Sequence, residues 1–308
     1  MLKETKRNLI GQSLLLLATL CWGTSFAVLK DTIETVPGFF VIGVRFLSAG
    51  ILLGLIFIKR IIKIDKKTIK KAFILGLVVA IAYIVQTEGL KYTSPGSNAF
   101  LTSIYCIICP FMMWIFFKKR PQIHNVIAAF VCIVGIGLIV LSGSQESGGN
   151  ALLGNALTLV CAVFYSLQIL VIDRYNEQKT DPICLLVVHF IFTGIIVLGA
   201  SFAYELPQMG IESYAINFEQ FLKILYLMVV CTLVAQCSQM FGQKLSSNPT
   251  QSAIILSLES VFGAIFSVIL GAEKITATLV VGFVVIIFAV LIGELKIDFG
   301  ISKLLKKK

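Results

Sequence analysis

Long apolar stretches separated by short polar breaks run from one end of the chain to the other. An α-helix needs about 20 apolar residues to cross the hydrocarbon core of a bilayer, and most of these stretches approach that length. The stretches lie at residues 10–29, 39–58, 72–89, 97–117, 122–141, 154–172, 183–203, 219–241, 251–270 and 277–293. The breaks contain Pro, Gly, Ser and Asn, which are typical of turns. The pattern predicts an all-α integral membrane protein with ten transmembrane helices.

Composition supports a lipid environment. Hydrophobic residues make up 57% of the 308 positions and charged residues 14%, whereas a soluble domain carries roughly 25% charged residues. The net charge of +10 does not point to nucleic acid, because the basic residues lie in the breaks between spans. The eight cysteines lie inside apolar stretches, where they are expected to pack as small apolar residues. The predicted partner is the lipid bilayer, and no metal or cofactor is predicted.

Lysine and arginine are distributed unevenly between alternate loops, which indicates orientation. With a cytoplasmic N-terminus, the cytoplasmic segments hold 21 of the 26 basic residues, and the opposite loops hold three, Lys30, Lys91 and Lys274. Both termini are therefore predicted to be cytoplasmic. Many Lys and Ile with only five Arg is typical of an AT-rich bacterial genome, which predicts a multi-pass protein of the bacterial cytoplasmic membrane. The oligomeric state is left open and is compatible with a monomer.

An internal repeat is visible when the chain is shifted by 154 positions. Residues 92–103 then align without a gap on residues 246–257, and Pro95, Ala99 and Ser103 coincide with Pro249, Ala253 and Ser257. Each half has five predicted spans, an odd number, so the two halves are expected to have opposite orientations, as in many secondary carriers. The predicted organisation is a five-helix repeat at 1–142, a Gly/Ser-rich linker at 143–150 and a second five-helix repeat at 151–308 that ends in a basic cytoplasmic tail.

Several short motifs resemble those of a known family. Trp22-Gly23-Thr24-Ser25-Phe26 resembles the W-G-x-S-F signature of the EamA family within the drug/metabolite transporter superfamily. Ser97-Asn98-Ala99-Phe100-Leu101-Thr102 and Leu256-Ser257-Leu258-Glu259 are similar to later signatures of that family. The resemblance implies a ten-helix carrier that exports amino acids or related metabolites by alternating access.

Polar side chains recur inside the apolar stretches, where facing lipid would leave them without hydrogen-bond partners. The predicted substrate-binding residues are Trp22, Ser25, Tyr83, Gln86, Asn98, Thr102, Tyr105, Tyr165, Gln168, Gln236, Gln239, Ser252 and Glu259. For any single residue the alternative is a hydrogen bond between helices that stabilises the bundle. The set as a whole predicts a polar cavity near the membrane midplane that binds a small-molecule substrate.

Three ionisable residues in the spans are candidates for charge recognition or for coupling to a proton or another ion, since intramembrane charges are costly and usually functional. Glu259 lies near the middle of the ninth span, at the position that Tyr105 occupies in the first repeat, and can meet a substrate ammonium, exchange a proton or act as a structural acceptor. Arg45 can bind a substrate carboxylate, pair with a buried acid or extend to the headgroups. His189 can carry a proton or pack in the bundle.

The sequence lacks the motifs that are typical of other classes of membrane protein. A membrane-embedded enzyme needs clustered metal ligands or a nucleophile with a base, and the spans contain no H-E-x-x-H, D-D-x-x-D or G-x-S-x-G motif. No phosphate-binding loop is present, so energy must come from a gradient. The sequence therefore predicts a non-enzymatic secondary transporter for a small polar metabolite. An embedded enzyme or a non-transporting membrane protein with the same bundle remains the alternative.

Overall fold

The computed structural model of the protein describes residues 2–93, 95–143, 151–246, 248–269 and 276–295. Within these ranges every regular element is helical and no β-strand occurs. The α-helices are α1 (Leu2–Ile33), α2 (Gly38–Ile56), α3 (Ile58–Ile61), α4 (Lys66–Tyr92), α5 (Pro95–Ser103), α6 (Tyr105–Phe117), α7 (Ile123–Gly143), α8 (Ala151–Glu177), α9 (Pro182–Ala200), α10 (Leu206–Met209), α11 (Phe218–Met228), α12 (Ala235–Leu245), α13 (Pro249–Leu256), α14 (Glu259–Ile269) and α15 (Ala277–Leu295). Two π-helical segments (Ser201–Glu205 and Val229–Val234) and a 3₁₀ turn (Ile211–Tyr214) continue or connect them.

Eight helical segments among the described residues are long and apolar enough to cross a membrane. They are Thr5–Ile33, Gly38–Ile56, Lys66–Tyr92, Pro95–Phe117, Leu152–Glu177, Pro182–Met209, Phe218–Leu245 and Pro249–Phe266. Helices α7 and α15 cover the two remaining predicted spans, with shorter apolar parts at Ile123–Gly135 and Val280–Ile292. The all-α membrane fold is confirmed, whereas the count of ten spans and the cytoplasmic termini stay predictions. Most of the predicted linker (144–150), Lys274 and the basic tail (296–308) lie outside the described residues.

The fourth and ninth predicted spans are each interrupted near the middle, which the sequence did not reveal. The first interruption, at Ile104, separates α5 from α6, and the second, at 257–258, separates α13 from α14. Helices α5 and α13 begin 154 residues apart, as do α6 and α14. The Ser103 hydroxyl donates to the Ser257 carbonyl at 3.5 Å, and Cys132 Sγ lies 3.1 Å from Ser257 Oγ. The two interruptions therefore meet inside the bundle.

The long helices pack in pairs that join the two halves of the chain. Helix α1 packs on α12, α2 on α9, α4 on α8 and α7 on α15. Glycines bring two of these pairs into backbone contact: a Cβ on Gly89 would lie 2.9 Å from the Gly154 carbonyl, and one on Gly242 would lie 2.9 Å from the Gly11 carbonyl. Such close backbone contacts stabilise helix association in a membrane, because lipid is as apolar as the helix surface and burial of that surface gives little driving force.

A buried acid links three helices at the start of α2. Glu205, at the end of the π-helical extension of α9, is 1% exposed. Its carboxylate accepts hydrogen bonds from the backbone N–H of Phe39 at 3.0–3.1 Å and of Phe40 at 3.3 Å. Ser201 Oγ donates to it at 2.9 Å, and Lys91 Nζ on α4 lies 3.6 Å away. The carboxylate therefore occupies the positive end of the α2 dipole, where the first N–H groups lack partners within the helix.

Glu205→Gln is expected to destabilise the bundle, because an amide in this position removes the charge and turns an NH₂ group toward backbone donors. Hydrogen bonds to a charged group are worth about 1.5–3 kcal/mol each, so we expect a loss of at least about 2 kcal/mol. The check is the thermal unfolding midpoint in detergent, with Glu212→Gln as control, because Glu212 is exposed in the adjacent 3₁₀ turn. Equal midpoints for the two variants would contradict this role for Glu205.

Candidate substrate-binding site

A cavity lies between helices drawn from both predicted repeats. Its lining residues are Trp22, Ser25, Phe26, Leu29, Arg45, Tyr83, Gln86, Leu90, Asn98, Thr102, Tyr105, Tyr165, Gln168, Ile169, Gln239, Leu256 and Glu259. They come from α1, α2, α4, α5 and α6 in the first half and from α8, α12, α13 and α14 in the second. We refer to this space as the central cavity.

Eleven of the thirteen predicted binding residues, together with Arg45, line the central cavity. Gln236 and Ser252 do not line it. The Gln236 carbonyl accepts from Gln168 Nε2 at 3.2 Å, so Gln236 lies behind a lining residue. The Ser252 hydroxyl donates at 3.3 Å to the carbonyl of Asn248, the N-cap residue of α13. Neither side chain lines the central cavity, because each is buried next to a polar group behind it, and their part in substrate binding stays a prediction.

His189 also lies away from the central cavity. The imidazole is 1% exposed, its Nδ1 lies 3.1 Å from the Leu185 carbonyl of its own helix, and its ring centroid lies 4.6 Å from that of Phe190. These contacts agree with the packed alternative. His189 does not line the central cavity, and its role in proton transfer stays a prediction.

Arg45 is buried at the cavity wall, with 1% exposure, so the alternative in which it extends to the headgroups is wrong. Its Nε donates to Thr232 Oγ1 at 2.7 Å and its Nη2 donates to the Tyr83 hydroxyl at 3.4 Å. The guanidinium carbon lies 5.2 Å from the centroid of the Tyr83 ring and 5.5 Å from that of Phe46. Arg45 takes part in none of the ion pairs found among the described residues. The guanidinium is thus held by hydroxyl groups and aromatic rings without an acidic partner.

Three lining residues carry buried polar atoms that have no hydrogen-bond partner within the described part of the chain. These atoms are Asn98 Oδ1, the Tyr105 hydroxyl and Glu259 Oε1, and the last two belong to neighbouring side chains that interact electrostatically with each other. Glu259 is 5% exposed and, like Arg45, belongs to none of the described ion pairs. An unpaired buried polar group costs about 1–3 kcal/mol, and a charged one costs more. A ligand or water in the central cavity would remove that cost.

The other polar lining groups bind one another and fix the shape of the cavity. The Tyr165 hydroxyl donates to Gln86 Oε1 at 2.7 Å, and Gln86 Nε2 donates to Thr102 Oγ1 at 3.1 Å. These bonds join α8, α4 and α5. Gln168 Nε2 donates to Gln239 Oε1 at 3.1 Å, which joins α8 to α12. Hydrogen bonds between helices therefore hold this wall in one arrangement. Stabilising the bundle in this way is the alternative role that was considered for any single polar residue.

Five apolar lining residues were not predicted. They are Phe26, Leu29, Leu90, Ile169 and Leu256. Phe26 and Leu256 belong to two of the motifs that carry the family resemblance, and this was the available signal. The other three cannot be told from lipid-facing residues by type alone. Across the described residues, no group of three or more His, Cys, Asp and Glu is placed to hold a metal ion.

A second cavity lies at one end of the helices, next to the central cavity. Its charged lining residues are Arg7, Lys119, Arg120, Asp173, Arg174, Glu177 and Lys244. Glu177 binds Lys119 at 2.6 Å and Arg174 at 3.1 Å. Gln243, which lines this second cavity, donates to the carbonyl of Ile169, which lines the central one, at 3.0 Å. This hydrogen bond joins a lining residue of each cavity. We refer to the second cavity as the basic mouth.

The sequence matches a family of transporters along most of its length. The model of the EamA-like transporter family matches residues 9–141 and again residues 152–293. The chain belongs to the EamA-like transporter family. It is 31% identical over 297 residues to an uncharacterized transporter of Archaeoglobus fulgidus, an alignment that covers 96% of this chain and 89% of the relative. It is also 30% identical over 120 residues to mouse solute carrier family 35 member F2, covering 35% of this chain and 30% of the relative.

A solved crystal structure has the same fold as this EamA-like transporter. The two superpose with a TM-score of 0.75 over 94% of this chain and 97% of the other, at 15% sequence identity. Membership of the family identifies the protein as a multi-pass membrane transporter that works in a lipid bilayer on a small-molecule substrate. The central cavity, enclosed by helices from both family-matched segments, is the candidate site for that substrate.

Proposed function

We propose that this EamA-like transporter exports a small zwitterionic metabolite, an amino acid or a related compound, across a bacterial cytoplasmic membrane. The observation that carries the proposal is the pair of buried ionisable side chains, Arg45 and Glu259, that line one cavity and belong to no ion pair among the described residues. A buried charge is tolerated when it is paired or hydrogen-bonded. A substrate carboxylate at Arg45 and a substrate ammonium at Glu259 would meet both requirements at once.

Neutral groups in the central cavity fit the same class of substrate. Asn98 Oδ1 is an acceptor with no hydrogen-bond partner among the described residues, and the Tyr105 hydroxyl can donate or accept. The apolar side chains of Leu29, Leu90 and Leu256 line the same cavity. A site with two charges, a few polar groups and an apolar wall suits a compact molecule that has an ammonium, a carboxylate and a short side chain.

Alternating access between two inverted five-helix repeats is the proposed mechanism. It is supported by the equal 154-residue spacing of the interrupted helices and by two separate family matches in one chain. Helices interrupted at the middle of the membrane often form substrate sites in carriers. Here Tyr105 and Glu259 are the first residues after the two interruptions, and both line the central cavity.

Export from the cytoplasm is favoured by the basic mouth. Its five cations all belong to segments predicted to be cytoplasmic, and it adjoins the central cavity across Gln243 and Ile169. A substrate carboxylate would be attracted to this mouth. Glu259 also leaves a second role open, because a buried carboxyl group with no cationic partner in the described structure can bind a proton and couple the proton gradient to export.

Metabolite profiling of cells that overproduce the protein tests the proposed function. We expect one or a few zwitterionic compounds to accumulate in the medium, and we expect this accumulation to disappear with Arg45→Gln or Glu259→Gln at equal membrane abundance. Accumulation that consists of uncharged compounds, or that persists in both variants, would contradict the proposal.

A further inference from the structure

The eighth predicted span contains a π-helical turn. Residues of this turn form hydrogen bonds with side chains that line the central cavity. The turn, Val229–Val234, lies between α11 and α12. Within it, the Thr232 hydroxyl donates to the Leu227 carbonyl five residues earlier at 3.0 Å. A π-turn holds one more residue than an α-turn, so its side chains and carbonyls point in directions that a continuous α-helix would not give them. Such single turns occur frequently at functional sites.

Two consecutive residues of this turn each bind a residue of the central cavity. The Cys231 carbonyl accepts from Trp22 Nε1 on α1 at 3.0 Å. Thr232 Oγ1 accepts from Arg45 Nε on α2 at 2.7 Å. Thr232 is completely buried and does not line the cavity, whereas Trp22 and Arg45 do. The π-turn therefore bridges two cavity-lining side chains on two different helices.

We infer that Thr232 is a positioning residue that sets the specificity of the site for a carboxylate, and that the π-turn exists to place it. The inference rests on the proposed function, in which Arg45 receives that carboxylate. A guanidinium recognises a carboxylate through a planar fork of N–H groups whose orientation determines the fit. Arg45 Nε donates to Thr232 and Arg45 Nη2 donates to Tyr83, so the two hydroxyl groups together fix the plane of the guanidinium. Without the threonine oxygen, we expect the guanidinium to lose its partner at Nε and to rotate against the Phe46 and Tyr83 rings.

Equilibrium dialysis of the purified full-length protein measures this role. The probes are an equimolar mixture of the protein amino acids and a second mixture of the corresponding carboxamides, with bound compounds identified by mass spectrometry. The parent protein should retain one or more amino acids in preference to their amides. Thr232→Val, which has nearly the same shape, should weaken amino-acid binding roughly 10- to 100-fold, the effect of one hydrogen bond to a charged group, and should leave amide binding unchanged. Thr232→Ser should stay within about fivefold of the parent, since only one buried methyl group is lost.

Selectivity separates positioning from general damage to the fold. Equal losses for amino acids and amides in Thr232→Val, or a Thr232→Ser variant as weak as Thr232→Val, would overturn the inference. If the parent retains no amino acid, the assignment of amino acids as substrates fails, and the inference about the carboxylate fails with it. If the parent retains amino acids and the valine variant matches it, only the inference about Thr232 fails.

A second measurement tests, without any ligand, whether the π-turn positions Trp22. The chain has two tryptophans, Trp22 and Trp114, and Trp114 is 46% exposed on the outer surface of the bundle. In a Trp114→Phe protein, fluorescence therefore reports Trp22 alone. Deletion of Val230 shortens the π-turn to an α-turn and removes the Cys231 carbonyl from Trp22. We expect a shifted Trp22 emission and stronger quenching by acrylamide in the deletion, and unchanged emission would overturn the role of the π-turn.

Discussion

Glu259→Gln is expected to abolish measurable transport of the zwitterionic substrate in proteoliposomes. The carboxyl group lies in the central cavity with 5% exposure and belongs to no ion pair in the part of the chain that the structure describes. Truncating one member of a buried, hydrogen-bonded charge pair costs about 2–5 kcal/mol, which corresponds to a loss of substrate affinity of roughly 30-fold or more. Glutamine keeps the size of the side chain, so the fold and the membrane abundance should be unchanged. The measurement is the saturable flux of the compound that metabolite profiling identifies.

Ser260→Ala is the matched control for Glu259→Gln. Ser260 is the next residue, is equally buried at 5% exposure, and donates back to the Ser257 carbonyl without lining the cavity. Counterflow, in which labelled and unlabelled substrate exchange, distinguishes the two roles left open for Glu259. Loss of counterflow in Glu259→Gln assigns the carboxylate to substrate binding. Intact counterflow together with loss of gradient-driven transport assigns it to proton coupling, and wild-type behaviour in both assays removes Glu259 from the mechanism.

Arg45→Lys is expected to impair recognition of the substrate carboxylate even though the positive charge is kept. The guanidinium of Arg45 is bound at two nitrogens and packed against two aromatic rings, and a lysine ammonium cannot reproduce that planar geometry. We expect the affinity for the substrate to fall by about 2–5 kcal/mol, whereas the affinity for its carboxamide should change little. The measurement is inhibition of wild-type and variant flux by the two compounds.

Arg60→Gln supplies the control for Arg45. Arg60 follows α2 on α3, is more than half exposed and pairs with Asp181 at 3.6 Å. An exposed pair of this kind is worth about 0–1 kcal/mol, so this variant should transport normally. An Arg45→Lys protein that discriminates between acid and amide as the wild type does would show that the carboxylate binds elsewhere.

The lining of the central cavity could largely be predicted from the sequence because the membrane makes polar residues conspicuous. Gln86, Tyr165 and Glu259 interrupt apolar stretches, and hydrocarbon allows such groups to face other protein groups or a cavity. The rule says that these residues face inward, but it does not say whether they face a ligand or each other. Gln236 illustrates this limit, since it is as polar as Gln239 yet binds behind the lining residue Gln168.

The two helix interruptions, the π-turn and the role of Glu205 at the start of α2 could not be predicted, because their stabilising contacts are distant in sequence. Neither Pro nor Gly marks the interruption at Ile104, and the contact beside it joins Ser103 to Ser257. The π-turn binds α1 and α2, which lie about two hundred residues earlier in the chain. Glu205 accepts from Phe39, 166 residues away. Local helix propensity does not depend on such distant partners, because tertiary packing decides where a helix is broken or capped.

A structure of the transporter bound to the compound that it exports would determine whether the two buried charges share one ligand. We predict that the compound occupies the central cavity, with its carboxylate within hydrogen-bond distance of Arg45 and its ammonium within hydrogen-bond distance of Glu259. A compound bound away from both side chains, or a cavity in which Arg45 and Glu259 contact only protein groups when transport is saturated, would contradict the proposed recognition of a zwitterion.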